Sequence, residues 1–142
     1  MPKPELEFFD PETLPWRAVA GESGVSERVL VEDPATGLLT RLIRWDRGIS
    51  TSSPGPVAHA YFEEVLILSG SLHDLRLNQT FGAGYYACRP PGMVHGPWRT
   101  AEGCLMLETR YEPHPSNDVE PFTAEVALSA AAIYPQTRPG GL

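Results

Sequence analysis

Two short clusters concentrate the residues of this chain that can do chemistry. The first reads His59-Ala-Tyr-Phe-Glu63-Glu64 and runs into an apolar segment, Val65-Leu66-Ile67-Leu68, closed by a Ser69-Gly70 turn. The second reads Gly84-Tyr-Tyr-Ala-Cys-Arg89-Pro-Pro-Gly92-Met-Val-His95. Here Pro90 and Pro91 fix φ while Gly92 is free to turn, so a rigid backbone aims the one imidazole of His95. Strand side chains alternate faces, which puts Val57, His59, Tyr61, Glu63, Val65 and Ile67 on one side and Ala60, Phe62, Glu64, Leu66 and Leu68 on the other. That parity pairs His59 with Glu63 and leaves Glu64 to meet an arginine or solvent. Histidine and carboxylate delivered from separate strands towards one interior are what a metal site requires. By themselves His59 and Glu63 also fit a buried hydrogen-bonded pair.

The elements that must position these groups are short strands. Arg28 to Glu32 and Leu38 to Trp45 flank Asp33-Pro-Ala-Thr-Gly37, whose proline and glycine suit a turn, so the two segments read as a hairpin. Asp46 to Pro56 is a Ser-, Gly- and Pro-rich loop placed to rim a site. Gly70 turns the chain into a strand from Leu72 to Leu77, and Phe81 to Gly84 turns it into Tyr85 to Arg89. A Glu102-Gly103 turn precedes a last strand, Cys104 to Tyr111. Residues 1–27 read as an extended arm whose aromatics dock on the domain. Residues 113–142 read as an extension in which Ala124 to Tyr134, capped by Thr123 and stopped by Pro135, forms a short helix. No internal repeat is visible.

Composition narrows the class. A chain of 142 residues with 15 prolines, 13 glycines and little helical periodicity reads as one all-β domain, residues 28–112, large enough to bury a core without staples. The net charge of −7 argues against nucleic acid and anionic membrane, which are bound through clustered Lys and Arg. No apolar run approaches the roughly 20 residues that span a bilayer, and the acidic amino terminus does not resemble a signal peptide, so a cytoplasmic location is expected. Cys88 and Cys104 are too few and too far apart for a disulfide framework and read as buried reduced thiols.

The spacing Gly84, Pro90, Gly92, His95 resembles the second signature motif of the cupins, with Arg99 where the family usually has Asn. The earlier cluster resembles the first motif, in which two histidines one residue apart precede a glutamate and, seven places on, a glycine. Glu63 to Gly70 keeps that interval and His59 keeps the gap of the second histidine, while Val57 occupies the place of the first. Setting His59 in the first place would leave Tyr61 in the second but shorten the gap to Glu63. The likeness covers residues 38–111 and is especially close to ChrR-like and acetylacetone-dioxygenase-like single-domain cupins. It implies a double-stranded β-helix, or jelly-roll barrel, of two sheets. It also implies one divalent metal ion per chain, held by His59, Glu63 and His95. Two imidazoles and a carboxylate suit Fe(II), which is favoured here, as well as Mn(II), Ni(II) or Zn(II), and three ligands leave positions open for substrate and oxygen or water.

Beside these ligands, Tyr61 shares the ligand face and is a proton-donor candidate, with core packing as its plainer role. Arg89 is placed to clamp a substrate carboxylate or enolate, against the simpler expectation of a surface ion pair, and Trp98 to wall the pocket or pack in the core. His73 and His114 lie outside both motifs and read as exposed and inert. The expectation is a metal-dependent enzyme acting on a small enolisable, metal-chelating molecule, with oxidative carbon-carbon cleavage as the specific reading and Tyr61 and Glu63 as proton-moving groups. Alternatives are a non-oxidative isomerase or lyase, a ligand- or metal-sensing regulator, and a metal-free binding barrel. The sensor ranks lower because the 27 residues before the first expected strand are too few for a helical sigma-factor-binding domain. The resemblance further implies a homodimer.

Overall fold

A computed structural model of the chain describes residues 3–112. A one-turn 3-10 helix, Pro11–Thr13, is capped by the Asp10 side chain and precedes eight strands. These are β1 (Arg17–Ala18), β2 (Val25–Glu32), β3 (Leu39–Trp45), β4 (Phe62–Asp74), β5 (Gln79–Gly82), β6 (Tyr86–Arg89), β7 (Trp98–Arg99) and β8 (Cys104–Tyr111). Every pairing is antiparallel, and the order β1-β2-β3-β8-β4-β5 is completed by β6 and β7, which both pair with β4. The result is the all-β cupin barrel expected.

β4 joins the two sheets. Its first half pairs with β8 and β6 and its last four residues with β5 and β7. The change of sheet follows Gly70, just past a slip of the β4–β8 register between Ile67 and Ser69 of the kind a bulge produces. Ser69-Gly70 is therefore not the expected turn; the strand runs through it. Gly70 has φ of +75°, and a Cβ there would overlap the carbonyl oxygen of Gly103, so only glycine lets the backbones of β4 and the turn before β8 meet. The strand ends at Asp74 rather than Leu77, because the Asp74 carboxylate accepts from the backbone N–H of Arg76 and Leu77 and fixes a turn.

The inward face changes character along the barrel. Trp45 lies opposite Cys104 and Ile43 opposite Met106, which is opposite Ile67; with Val25, Val65 and Leu72 these form the buried apolar core. One layer further, Arg41 lies opposite Glu108, which is opposite Val65, and beyond that Arg110 faces Glu63. The interior thus turns polar towards the end where the site sits.

On the outer surface the arm folds back onto its own sheet, as expected for Trp16, whose ring is covered by the guanidinium carbons of Arg28, at 4.7 Å, and Arg44, at 4.3 Å. Phe8 by contrast is fully exposed. Cys88 is also exposed, contrary to expectation, because it lies opposite Glu64 on the outward face of the β4–β6 ladder; Cys104 is buried. The expected helix over 124–134 and His114 lie outside the described residues. No helix among the described residues is long and apolar enough to cross a membrane.

Candidate metal centre

His59 and His95 meet because the segments carrying them pair. The backbones of Val57 and His95 exchange two hydrogen bonds of 3.0 Å, and the Gly92 N–H donates to the His59 carbonyl at 2.8 Å. The Pro90-Pro91-Gly92 turn makes this possible, with Gly92 at φ of +79° and the Met93 N–H closing onto the Pro90 carbonyl. Regular strand begins only at Phe62, so His59 reaches Glu63 through this bridge rather than through an unbroken strand. Parity still holds where the strand is regular: Glu63, Val65 and Ile67 are buried, whereas Glu64 turns outward. There it accepts a hydrogen bond from the Tyr86 hydroxyl rather than pairing with arginine.

Both imidazoles are oriented by backbone carbonyls. His59 Nδ1 lies 2.9 Å from the Tyr61 oxygen and His95 Nδ1 lies 2.8 Å from the Met93 oxygen. A carbonyl only accepts, so each Nδ1 carries a proton, and in the neutral imidazole Nε2 presents its lone pair inward. Those lone pairs face one carboxylate oxygen: Glu63 Oε2 is 3.5 Å from His59 Nε2 and 3.7 Å from His95 Nε2. The three donor atoms lie within 4.8 Å of one another, a spread that would have to close towards the roughly 3 Å between ligands on one small ion. His59 Nε2 is buried without a hydrogen-bond partner. A buried lone pair with nothing to accept from is costly unless a cation uses it, so these residues fit a divalent metal.

The surrounding side chains tune the donors. Burial pushes the Glu63 carboxyl up, but the Arg89 hydrogen bond and charge outweigh it, so its pKa lies below the ordinary carboxylate value and the group is ionised. Burial lowers the pKa of His95, only partly offset by the Met93 carbonyl, which keeps its imidazole neutral, as ligation requires.

All three other predicted site residues are here. Tyr61 stacks flat on His59, ring centres 4.1 Å apart, and burial raises its phenol pKa. Trp98 lies 5.4 Å from the His95 ring and edge-on to Trp45, so it both walls the site and packs in the core. Arg89 is no surface ion pair. Its side chain is only 13% exposed, donates from Nη1 to Glu63 Oε2 at 2.7 Å, and covers the Trp98 ring at 4.9 Å. The reason is register, since Arg89 lies directly opposite Glu63 on β6. The Ser-rich loop reaches the site through Thr51, whose hydroxyl accepts from the backbone N–H of Trp98 at 2.9 Å. His73 is remote, hydrogen-bonded to Thr80.

Sequence reading missed a second polar group. Arg41 grips Glu108 with Nε and Nη2, both at 3.1 Å, and Glu27 with Nη1 at 2.6 Å, while Arg110 Nε reaches Glu108 at 2.7 Å and its guanidinium covers Tyr61. Burial opposes the charge on Arg41, but Glu108 and Glu27 together raise its pKa. The signal was present: Arg41 alternates with Leu39, Ile43 and Trp45, and Glu108 with Cys104 and Met106.

The profile of the ChrR cupin-like domain matches residues 5–112. The chain belongs to the ChrR cupin-like family. Solved structures share the cupin fold. An RmlC-like cupin from Shewanella frigidimarina is 20% identical with a TM-score of 0.61, over 81% of this chain and 97% of that one. ChrR, the anti-sigma partner of Rhodobacter sphaeroides SigE in a solved complex, gives 23%, 0.52, 70% and 51% for the same quantities. A putative acetylacetone dioxygenase from Methylibium petroleiphilum gives 14%, 0.59, 78% and 83%. No curated protein matches this cupin.

Proposed function

We propose that this cupin is a metal-dependent enzyme acting on a small enolisable molecule that chelates through two oxygens, such as a β-diketone or hydroxy-ketone, and that with Fe(II) it cleaves a carbon-carbon bond using dioxygen. The observation that carries the reading is the convergence of His59 Nε2, His95 Nε2 and Glu63 Oε2, with the first of these buried and unpartnered. A divalent ion held by these atoms supplies a Lewis acid that lowers the cost of an enolate, and iron adds reactivity towards oxygen. The chain's own groups do the rest. Val57 offers no donor in the place of a further ligand, so three residues hold the ion and leave room for a two-oxygen substrate. Tyr61, its proton held by a raised pKa, is placed to donate a hydrogen bond or a proton at its hydroxyl oxygen. Trp98 and Arg89 close one side with an aromatic wall and a cation. The same site without oxygen chemistry would serve an isomerase or lyase, with Glu63 moving the proton if it is not tied to the ion. A homodimer is part of the proposal; exposed Leu6, Phe8 and Phe9 on the arm offer apolar surface for it.

The similarity to ChrR favours one second reading, a metal- or ligand-sensing module. Elemental analysis of protein purified without added metal, for wild type and His95→Ala, separates these. Near-stoichiometric iron lost in the variant supports the oxygenase, and zinc turns the reading to isomerising or sensing roles. No metal in the wild type, even after reconstitution with each candidate ion, refutes both in favour of a metal-free binding barrel.

A further inference from the structure

One oxygen of the site has two claimants. Glu63 Oε2 is the atom that faces both imidazoles, and it is also the atom that accepts from Arg89 Nη1 at 2.7 Å. The backbone sets this contact, because Arg89 and Glu63 are directly opposed across the β4–β6 ladder. The guanidinium also has a second seat, on the face of Trp98 at 4.9 Å, which keeps it at the edge of the site whether or not it holds Glu63. Among the described residues its one hydrogen bond is to Glu63, whereas a guanidinium carries five N–H donors in a plane suited to a two-oxygen anion.

We propose that Arg89 is the resident counter-cation of Glu63, that a divalent ion must take Oε2 from it, and that the guanidinium so released, still seated on Trp98, binds an oxyanion of the substrate such as a carboxylate or enolate. This rests on the metal-dependent reading above and adds an order to it. While Arg89 neutralises Glu63 it weakens metal binding, and the adjacent carboxylate repels an anion from the N–H donors left over. Once the ion is in place, one positive charge is left without its carboxylate partner, next to the open positions. Metal and anion therefore each raise the affinity for the other by the same factor, as any two coupled ligands must. The device would favour anionic chelators over neutral ones of the same shape, and would keep anions off the metal-free protein.

The test is calorimetric titration of Mn(II) into the full chain, with and without saturating benzenesulfonate, an oxyanion that ligates metals poorly and so reports on the guanidinium alone. The expected result is about tenfold tighter Mn(II) binding with the anion present, within the ~5–150-fold usual for coupled sites. Arg89→Gln should bind Mn(II) about tenfold more tightly than wild type without the anion, and should not respond to it. Arg89→Lys keeps the competing charge but loses the planar fork, so its Mn(II) affinity stays near wild type and its anion response shrinks. Equal or weaker Mn(II) binding by Arg89→Gln, or a wild type indifferent to benzenesulfonate, overturns the inference and leaves the metal site standing. If Arg89→Gln does not fold, the wild-type response decides. Failure of the wild type to bind Mn(II), Fe(II), Ni(II) or Zn(II) overturns the metal-dependent reading, and this inference with it.

Discussion

Replacing Gly70 with alanine measures how much the bend that joins the two sheets depends on two backbones touching. The new methyl would overlap the Gly103 carbonyl oxygen and lie 2.9 Å from its carbon and 3.0 Å from Cys104 Cα, where carbon atoms ordinarily stay about 3.5–4.0 Å apart. The neighbours are backbone, so they give way only if the start of β8 shifts against β4. Two costs add: about 1–2 kcal/mol for holding an L-residue at φ of +75°, and about 1–3 kcal/mol for overpacking. Gly37→Ala separates them, because Gly37 has nearly the same φ, +73°, yet an added Cβ meets nothing within 4 Å. The gain from a less flexible unfolded chain, up to about 1 kcal/mol, is common to both and cancels in the difference. At roughly 3–5 °C per kcal/mol for a domain of this size, the overpacking cost of about 1–3 kcal/mol should lower the metal-free melting temperature of Gly70→Ala by about 3–15 °C more than that of Gly37→Ala. Circular dichroism melts of the two variants and wild type give the answer. Equal losses would refute the steric argument and leave only the dihedral cost.

The remaining predictions concern the site and the thiols. Metal-free stability should fall with acid in two windows: a depressed His95 pKa means that stability is lost from about pH 6.5 downward as the unfolded chain takes up the proton first, and a depressed Glu63 pKa adds a loss below about pH 4.5. Urea unfolding across this range checks it, and Glu63→Gln should lose the lower window only. Val57→His places an imidazole on the residue bridged to His95, and should tighten Zn(II) binding by roughly tenfold or more in a chelator competition; no change would mean that position 57, now 43% exposed, faces away from the donors. A thiol reagent should titrate one fast equivalent in the native protein, at exposed Cys88, and lose it in Cys88→Ser. Cys104, buried and with its pKa pushed up to about 11, should react only on unfolding.

The sequence by itself indicated the all-β class through short-range patterns, and the barrel with its candidate donors His59, Glu63 and His95 through the resemblance of two short motifs to those of the cupins. Alternation from Glu63 to Ile67, the Pro90-Pro91-Gly92 turn and the strand from Cys104 to Tyr111 depend on dihedral limits and on a period of two, which neighbouring residues alone impose. Placing His59 with Glu63 was legible for a related reason, although an antiparallel bridge to His95, not strand continuity, brings it there. What only the tertiary structure decided are the pairings that depend on which strand lies beside which. Arg89 is a half-buried partner of Glu63 because β6 docks on β4 in one register, and a slip of one residue would have sent it to the surface, where local pattern placed it. Arg41 and Glu108 could share the interior only because β3 and β8, 67 residues apart at that pair, bring opposite charges to the same layer. Gly70 reads as a turn until Gly103 is known to lie against it. Register and long-range contact carry no local signature, so the three convergent side chains could be named from the chain and the charges beside them could not.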